Sequence, residues 1–206
     1  KRRRGWPYAL PGHLPHAPAG ILPGMWPFML LAALLLGSAP LPLAADQIRV
    51  AVASNFRQAM AAAAERFEHS SGHEVVLIPG STGKHYAQIR NGAPYDAFFA
   101  ADVDKPLRLE EERRIVPGSR FTYAIGQLVL WSADPDLVDP AGEVLKSDRF
   151  RHLAIANPDL APYGAAARSV LQALGLWDAL APKLVRGENI EQTFQFIISG
   201  NAELGF

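Results

Sequence analysis

Four short runs in this sequence carry the side chains best suited to chemistry: Ser54-Asn55, Gly80-Ser81-Thr82-Gly83, Ala161-Pro162-Tyr163-Gly164 and Glu188-Asn189-Ile190. Their polar groups are mostly neutral hydroxyls and amides, which can donate hydrogen bonds. Acidic residues are absent from the first three runs, and Glu188 flanks the fourth. Each run stands where an apolar stretch gives way to an amphipathic one, so each is expected at a strand-to-helix junction. Helix N-termini offer unpaired backbone N–H groups and the positive end of the macrodipole, which suits an anion. Read singly, each run is an ordinary N-cap worth about 1 kcal/mol. Read together, on alternating β/α units, they describe a cradle for an oxyanion.

Other chemistries fit less well. Gly80-Ser81-Thr82-Gly83-Lys84 has two residues between its glycines and His85 after the lysine, whereas a phosphate-binding P-loop needs four residues and then Ser or Thr. No serine stands in the G-x-S-x-G frame of a hydrolase. The six histidines are scattered with no ligand-like spacing, His69, His73 and His152 reading as solvated or edge residues, so no metal site is expected. No titratable residue stands at the junctions except the flanking Glu188, which argues against an enzyme; no cofactor is expected.

The elements that must position these runs alternate strand and helix, as in layered α/β folds. Strands are expected at 48–53, 74–78, 96–101, 152–156, 184–186 and 204–206. Helices are expected at 84–90, 107–113, 164–174 and 190–199. A further helix after Ser54-Asn55 would present Phe56, Met60, Ala63 and Phe67 on one face and stop near Gly72. Residues 96–101 read as a buried strand. The run 121–131, long for a strand and interrupted by Gly126, reads as a crossing between two lobes. The expected division is an N-terminal extension at 1–45, a first α/β lobe at 46–125 and a second at 126–206. The last strand has nothing after Phe206 to cap it, so the sequence is expected to be a fragment that lacks the return to the first lobe and leaves an open sheet edge.

Charge and composition narrow the partners. The chain has 206 residues, 49% of them hydrophobic, and zero net charge. Residues 1–45 hold four bases and no acid, which leaves 16 bases against 20 acids afterwards. A mildly acidic domain is poorly suited to nucleic acid or an anionic membrane surface. There is no cysteine, which excludes disulfides and thiolate chemistry. The uncharged run Phe28–Leu36, followed by Gly37, Pro40 and the small residues Ala44-Ala45, matches a secretory signal with cleavage after Ala45. It is too short for a membrane span, which needs about 20 residues.

At the junctions the sequence resembles the periplasmic molybdate-binding proteins of ABC importers. The runs that carry the likeness are Ala51-Val52-Ala53-Ser54-Asn55-Phe56, Gly80-Ser81-Thr82-Gly83 and Asn91-Gly92-Ala93-Pro94-Tyr95-Asp96. Phe98-Phe99-Ala100-Ala101-Asp102, Ala161-Pro162-Tyr163-Gly164 and Gly200-Asn201-Ala202-Glu203-Leu204-Gly205-Phe206 follow in the same order. The resemblance implies a type II periplasmic-binding fold, two α/β lobes closing on molybdate or tungstate. It implies ligand contacts at Ser54, Asn55, Ser81, Thr82, Tyr163 and, through its backbone N–H, Ile190. Either hydroxyl of the Ser81-Thr82 pair could carry the main bond, the count from Ser54 favouring Thr82. It further implies a monomer that delivers its oxyanion to a membrane permease. A sulfate, thiosulfate or phosphate binder is the alternative within the class, and an α/β hydrolase or transferase the alternative outside it.

Overall fold

Strand β1 (Gln47–Ala53) buries Val50, Ala51, Val52 and Ala53 in succession rather than alternately. That pattern marks a strand covered on both faces. In the computed structural model, which describes residues 46–206, β1 is the centre of a three-stranded sheet. It lies between β2 (Glu74–Gly80) and β3 (Ala97–Phe99) and pairs parallel with both. The second sheet has four strands in the order β4-β7-β5-β6: β4 (Trp131–Ser132), β7 (Leu204–Gly205), β5 (Leu153–Ala156) and β6 (Leu184–Gly187). Here β5 is the fully buried strand, parallel to β6 and β7, and β4 pairs antiparallel with β7. Leu153, Ile155, Leu171, Leu204 and Phe150 form the main core under this sheet.

Among the described residues six α-helices connect and cover the strands: α1 (Arg57–Ser71), α2 (Thr82–Arg90), α3 (Asp104–Glu111), α4 (Pro162–Ala173), the single turn α5 (Trp177–Leu180) and α6 (Ile190–Ile198). Local chemistry sets their ends. Ser81 caps α2 by accepting from the Lys84 N–H at 3.4 Å, and Asn189 caps α6 by accepting from the Gln192 N–H at 3.1 Å. Pro162 opens α4, where its missing N–H costs nothing. Gly72 closes α1 in the left-handed region, its N–H donating to the Glu68 carbonyl at 2.9 Å.

Several expectations need correction. A 3-10 turn at Ser54–Phe56 precedes α1, so the buried face of that helix runs through Met60 and Ala64. Ala63 is exposed, and Phe67 is 43% exposed, stacked on His73. Strand β3 is a half-buried edge strand of three residues, shorter than expected. It ends early because side chains take the next peptide groups: Tyr123 Oη donates to the Ala100 carbonyl at 2.7 Å, and the Ala101 N–H donates to Thr82 Oγ1 at 2.9 Å. Helix α3 starts earlier than read, because Asp102 accepts from the Lys105 N–H at 2.9 Å and Pro106 is tolerated in a first turn. Residues 121–130 form no ladder; the strand begins only at Trp131, the last residue of that run, and ends at Ser132. The last strand is no edge, since β7 lies between β4 and β5. The expected secretory signal lies outside the described residues.

Candidate functional site

The carboxyl ends of β1 and β2 in one sheet and of β5 and β6 in the other lead into the four junctions singled out in the sequence. In open α/β sheets ligands bind at such ends. All four junctions meet at one cavity, lined by Ser54, Asn55, Ser81, Thr82, Tyr163 and Ile190 together with Gly80, Ala101, Pro162 and Asn189. Every sequence-expected contact residue is therefore present on one wall or another. The cavity is small, about 10 Å³, far below the roughly 300–1,000 Å³ typical of pockets for drug-sized organic ligands.

The donors are oriented by the fold. Thr82 is completely buried, and its Oγ1 already accepts the Ala101 N–H. Its one hydroxyl hydrogen must therefore point elsewhere, and the cavity is beside it. Ser81, 2% exposed, likewise accepts the Lys84 N–H with its Oγ and keeps its hydrogen free. Ile190 is the first residue of α6, where a backbone N–H has no partner inside the helix. Not every amide is available: the Gly83 N–H donates to the Leu160 carbonyl at 2.8 Å, tying α2 to the loop before α4. Asn55 is exposed at the mouth, while Ser54 and Tyr163 are half-buried.

Among the described residues the walls carry no formal charge. No Asp, Glu, Lys, Arg or His is among the lining residues, and Tyr163 is the single titratable group there. The nearest ion pairs join the two halves outside the cavity: Lys84 with Glu188 at 2.9 Å and Arg57 with Glu191 at 2.7 Å, all partly exposed. His85 lies directly behind Gly80, where an added Cβ would come within 2.8 Å of its Nε2. Its Nδ1 pairs with Gln88 Oε1 at 3.1 Å, and Nε2 has no partner. Burial lowers its pKa, so the ring is held neutral and adds no cation behind the cradle. Tyr123, whose pKa is raised by burial and then by the neighbouring Tyr163, stays a phenol that donates to Ala100. Among the described residues no group of three or more His, Cys, Asp or Glu could hold a metal ion.

Sequence reasoning missed Ala101, whose N–H orients Thr82, and did not single out His85. The buried histidine gave a faint signal in its place one turn into a helix, but nothing in the spacing of residues 82 and 101 marks them as partners.

Two sheets of mainly parallel strands, whose strand ends converge on a cleft of neutral donors, define a type II periplasmic-binding fold. The chain belongs to the family of bacterial extracellular solute-binding proteins, which it matches over residues 48–206. It is 55% identical over 162 residues to the molybdate-binding protein ModA of Azotobacter vinelandii, covering 79% of this chain and 64% of that protein. It is 49% identical over 174 residues to the molybdate-binding protein ModA of Rhodobacter capsulatus, covering 84% of this chain and 68% of that one. The solved structure of the Azotobacter vinelandii periplasmic molybdate-binding protein superimposes with a TM-score of 0.75 at 48% identity, over 77% of this chain and 70% of that chain. The chain thus spans about two thirds of the length of these relatives.

Proposed function

We propose that this protein captures molybdate or tungstate in the periplasm and delivers it to the membrane permease of an ABC importer. The observation that carries the reading is a small cavity of neutral hydrogen-bond donors, built from four strand-to-helix junctions and bare of carboxylates. Its likeness to two proteins named for binding molybdate supports the choice of oxyanion. Ser54, Asn55, Ser81, Thr82, Tyr163 and the Ile190 N–H are the proposed contacts. Bonds from neutral donors to a charged group are worth about 1.5–3 kcal/mol each, so about six of them hold a dianion without a lysine or arginine. Residues 46–125 and 126–206 act as two lobes that hinge about the ligand, as a monomer. The reading favours reversible binding over catalysis, because no general base lines the cavity.

The donor-only wall also implies selectivity. Phosphate near neutral pH keeps a proton, and a buried P–O–H needs an acceptor that this wall lacks, at a cost of about 1–3 kcal/mol. Molybdate and tungstate are fully deprotonated and close in size. Sulfate is a smaller dianion and would meet the same donors at stretched distances. Calorimetric titration with the four oxyanions at pH 7 tests this. The expected order is molybdate equal to tungstate, both far above sulfate, with phosphate undetectable. Effective competition by phosphate would refute the reading.

A further inference from the structure

Gly83 is the second residue of α2, and its φ is not positive. Any L-residue would fit that helical backbone, and alanine is the better helix former. The need for glycine comes from across the cleft. The Gly83 N–H donates to the Leu160 carbonyl at 2.8 Å. A Cβ at 83 would stand 2.8 Å from that oxygen, 3.2 Å from Leu160 Cα and 3.3 Å from Leu160 C. All three atoms are backbone, so no change of rotamer makes room. The contact borders the cavity: Ser81 and Thr82 just before it, and Ala161 and Pro162 just after Leu160, are lining residues.

Neither turn yields by itself. Ser81 holds the start of α2, its hydroxyl accepting the Lys84 N–H at 3.4 Å and its carbonyl the His85 N–H at 3.1 Å. Thr82 is held to the Ala101 N–H at 2.9 Å. On the other side Asn157 gathers the turn before α4. Its carbonyl accepts the N–H groups of Leu160 and Ala161 at 3.1 and 2.8 Å, and its Oδ1 accepts that of Asp159 at 3.0 Å. Its own N–H donates to the Gly187 carbonyl at 2.7 Å, which fixes the turn to the end of β6. The soft coordinate is the separation of the two halves. Among the described residues the chain passes once from the first sheet to the second, through residues 112–130, which form no helix or ladder. The ion pairs that join the halves beside the cavity are partly exposed side chains, free to stretch.

We infer that Gly83 is a positioning residue for the oxyanion site. Lacking a side chain, it lets the first turn of α2 close to hydrogen-bond distance on the Leu160 carbonyl. That approach sets how near Ser81 and Thr82 come to the wall formed by Ala161 and Pro162. A Cβ at 83 would hold the halves apart, and donors on the two walls would no longer reach one oxyanion together. The inference rests on the proposed hinging of the two halves about molybdate.

The test is Gly83→Ala in the full chain. Calorimetry reads molybdate affinity, circular dichroism reads ligand-free melting, and a chase of isotope-labelled molybdate with excess unlabelled molybdate reads release. Loss of one bond to a charged group predicts a Kd about 10- to 100-fold higher. The contact forms only as the halves meet, so release should quicken by a similar factor while association stays within about 3-fold of the parent. Ligand-free melting should not fall, because alanine favours the helix and separated halves leave room for it. A loss carried by slower association at the parental release rate would overturn the inference, since it would mark a damaged wall rather than a failed approach of the halves. A lower ligand-free melting temperature would make Gly83 a structural seat for α2 and overturn it too. A parent that gives no heat with molybdate would sink the functional reading and this inference with it, whereas a parent and a variant that bind molybdate equally would sink the inference alone.

Discussion

Replacing Thr82 by valine keeps the shape of a fully buried side chain and deletes its hydroxyl, and with it two hydrogen bonds of different kinds. The first is the bond accepted from the Ala101 N–H at 2.9 Å. Leaving a buried N–H unpaired costs about 1–3 kcal/mol of stability, or about 2–4 °C of melting temperature for each kcal/mol in a domain of this size. The second is the donation into the cavity, about 1.5–3 kcal/mol if the acceptor is an anion, which is roughly a 10- to 150-fold rise in Kd for molybdate. Ser54→Ala is the matched control. The Ser54 hydroxyl lines the same cavity but makes no hydrogen bond to another described residue. That variant should lose comparable affinity with almost no change in ligand-free melting. Calorimetry for affinity and differential scanning calorimetry without ligand separate the two effects. Parental affinity in both variants would refute the anion-binding role and leave these hydroxyls as parts of helix termini. Equal destabilisation by both would refute the special place given to the Thr82–Ala101 bond.

The ion pairs Lys84–Glu188 and Arg57–Glu191 join the two halves beside the cavity. Each is partly exposed and worth about 0.2–1 kcal/mol, so Glu188→Gln and Glu191→Gln should each speed molybdate release by no more than about 5-fold, an effect that stopped-flow should find erased at 1 M salt. His85 predicts a pH dependence. Its folded pKa is lowered by burial and by Lys84, against the raising influence of Gln88, Val52 and Glu188, so the unfolded chain takes up a proton first as pH falls below 6.5. Stability should therefore decline with falling pH through that range more steeply in the parent than in His85→Gln; parallel urea-denaturation curves at pH 7 and 5.5 would refute it. If the N-terminal run is a secretory signal, mass spectrometry of the secreted protein should find Asp46 at the N-terminus, and peptides retaining Trp26 would count against cleavage there.

The four junctions were legible in the sequence because their signals are local. A β-branched or alanine-rich apolar run followed by Ser, Asn or Pro-Tyr-Gly marks a strand end and a helix start without reference to the rest of the chain. The absence of acids from three of these runs was likewise a property of composition, and it already pointed to a donor-only site. What the sequence could not decide was anything set by one element packing on another. The face of α1 turned to Met60 and Ala64 because a 3-10 turn preceded it. The strand at residues 97–99 was cut short when Tyr123 and Thr82 claimed its last peptide groups. The final strand lay inside its sheet because β4 closed over it antiparallel. The need for glycine at 83 was invisible until the Leu160 carbonyl was seen against it. Spacing along the chain determines which residues share a turn or a strand. The choice among partners tens of residues apart is made by burial and by the need to pair every buried N–H and carbonyl, and those requirements exist only once the chain is folded.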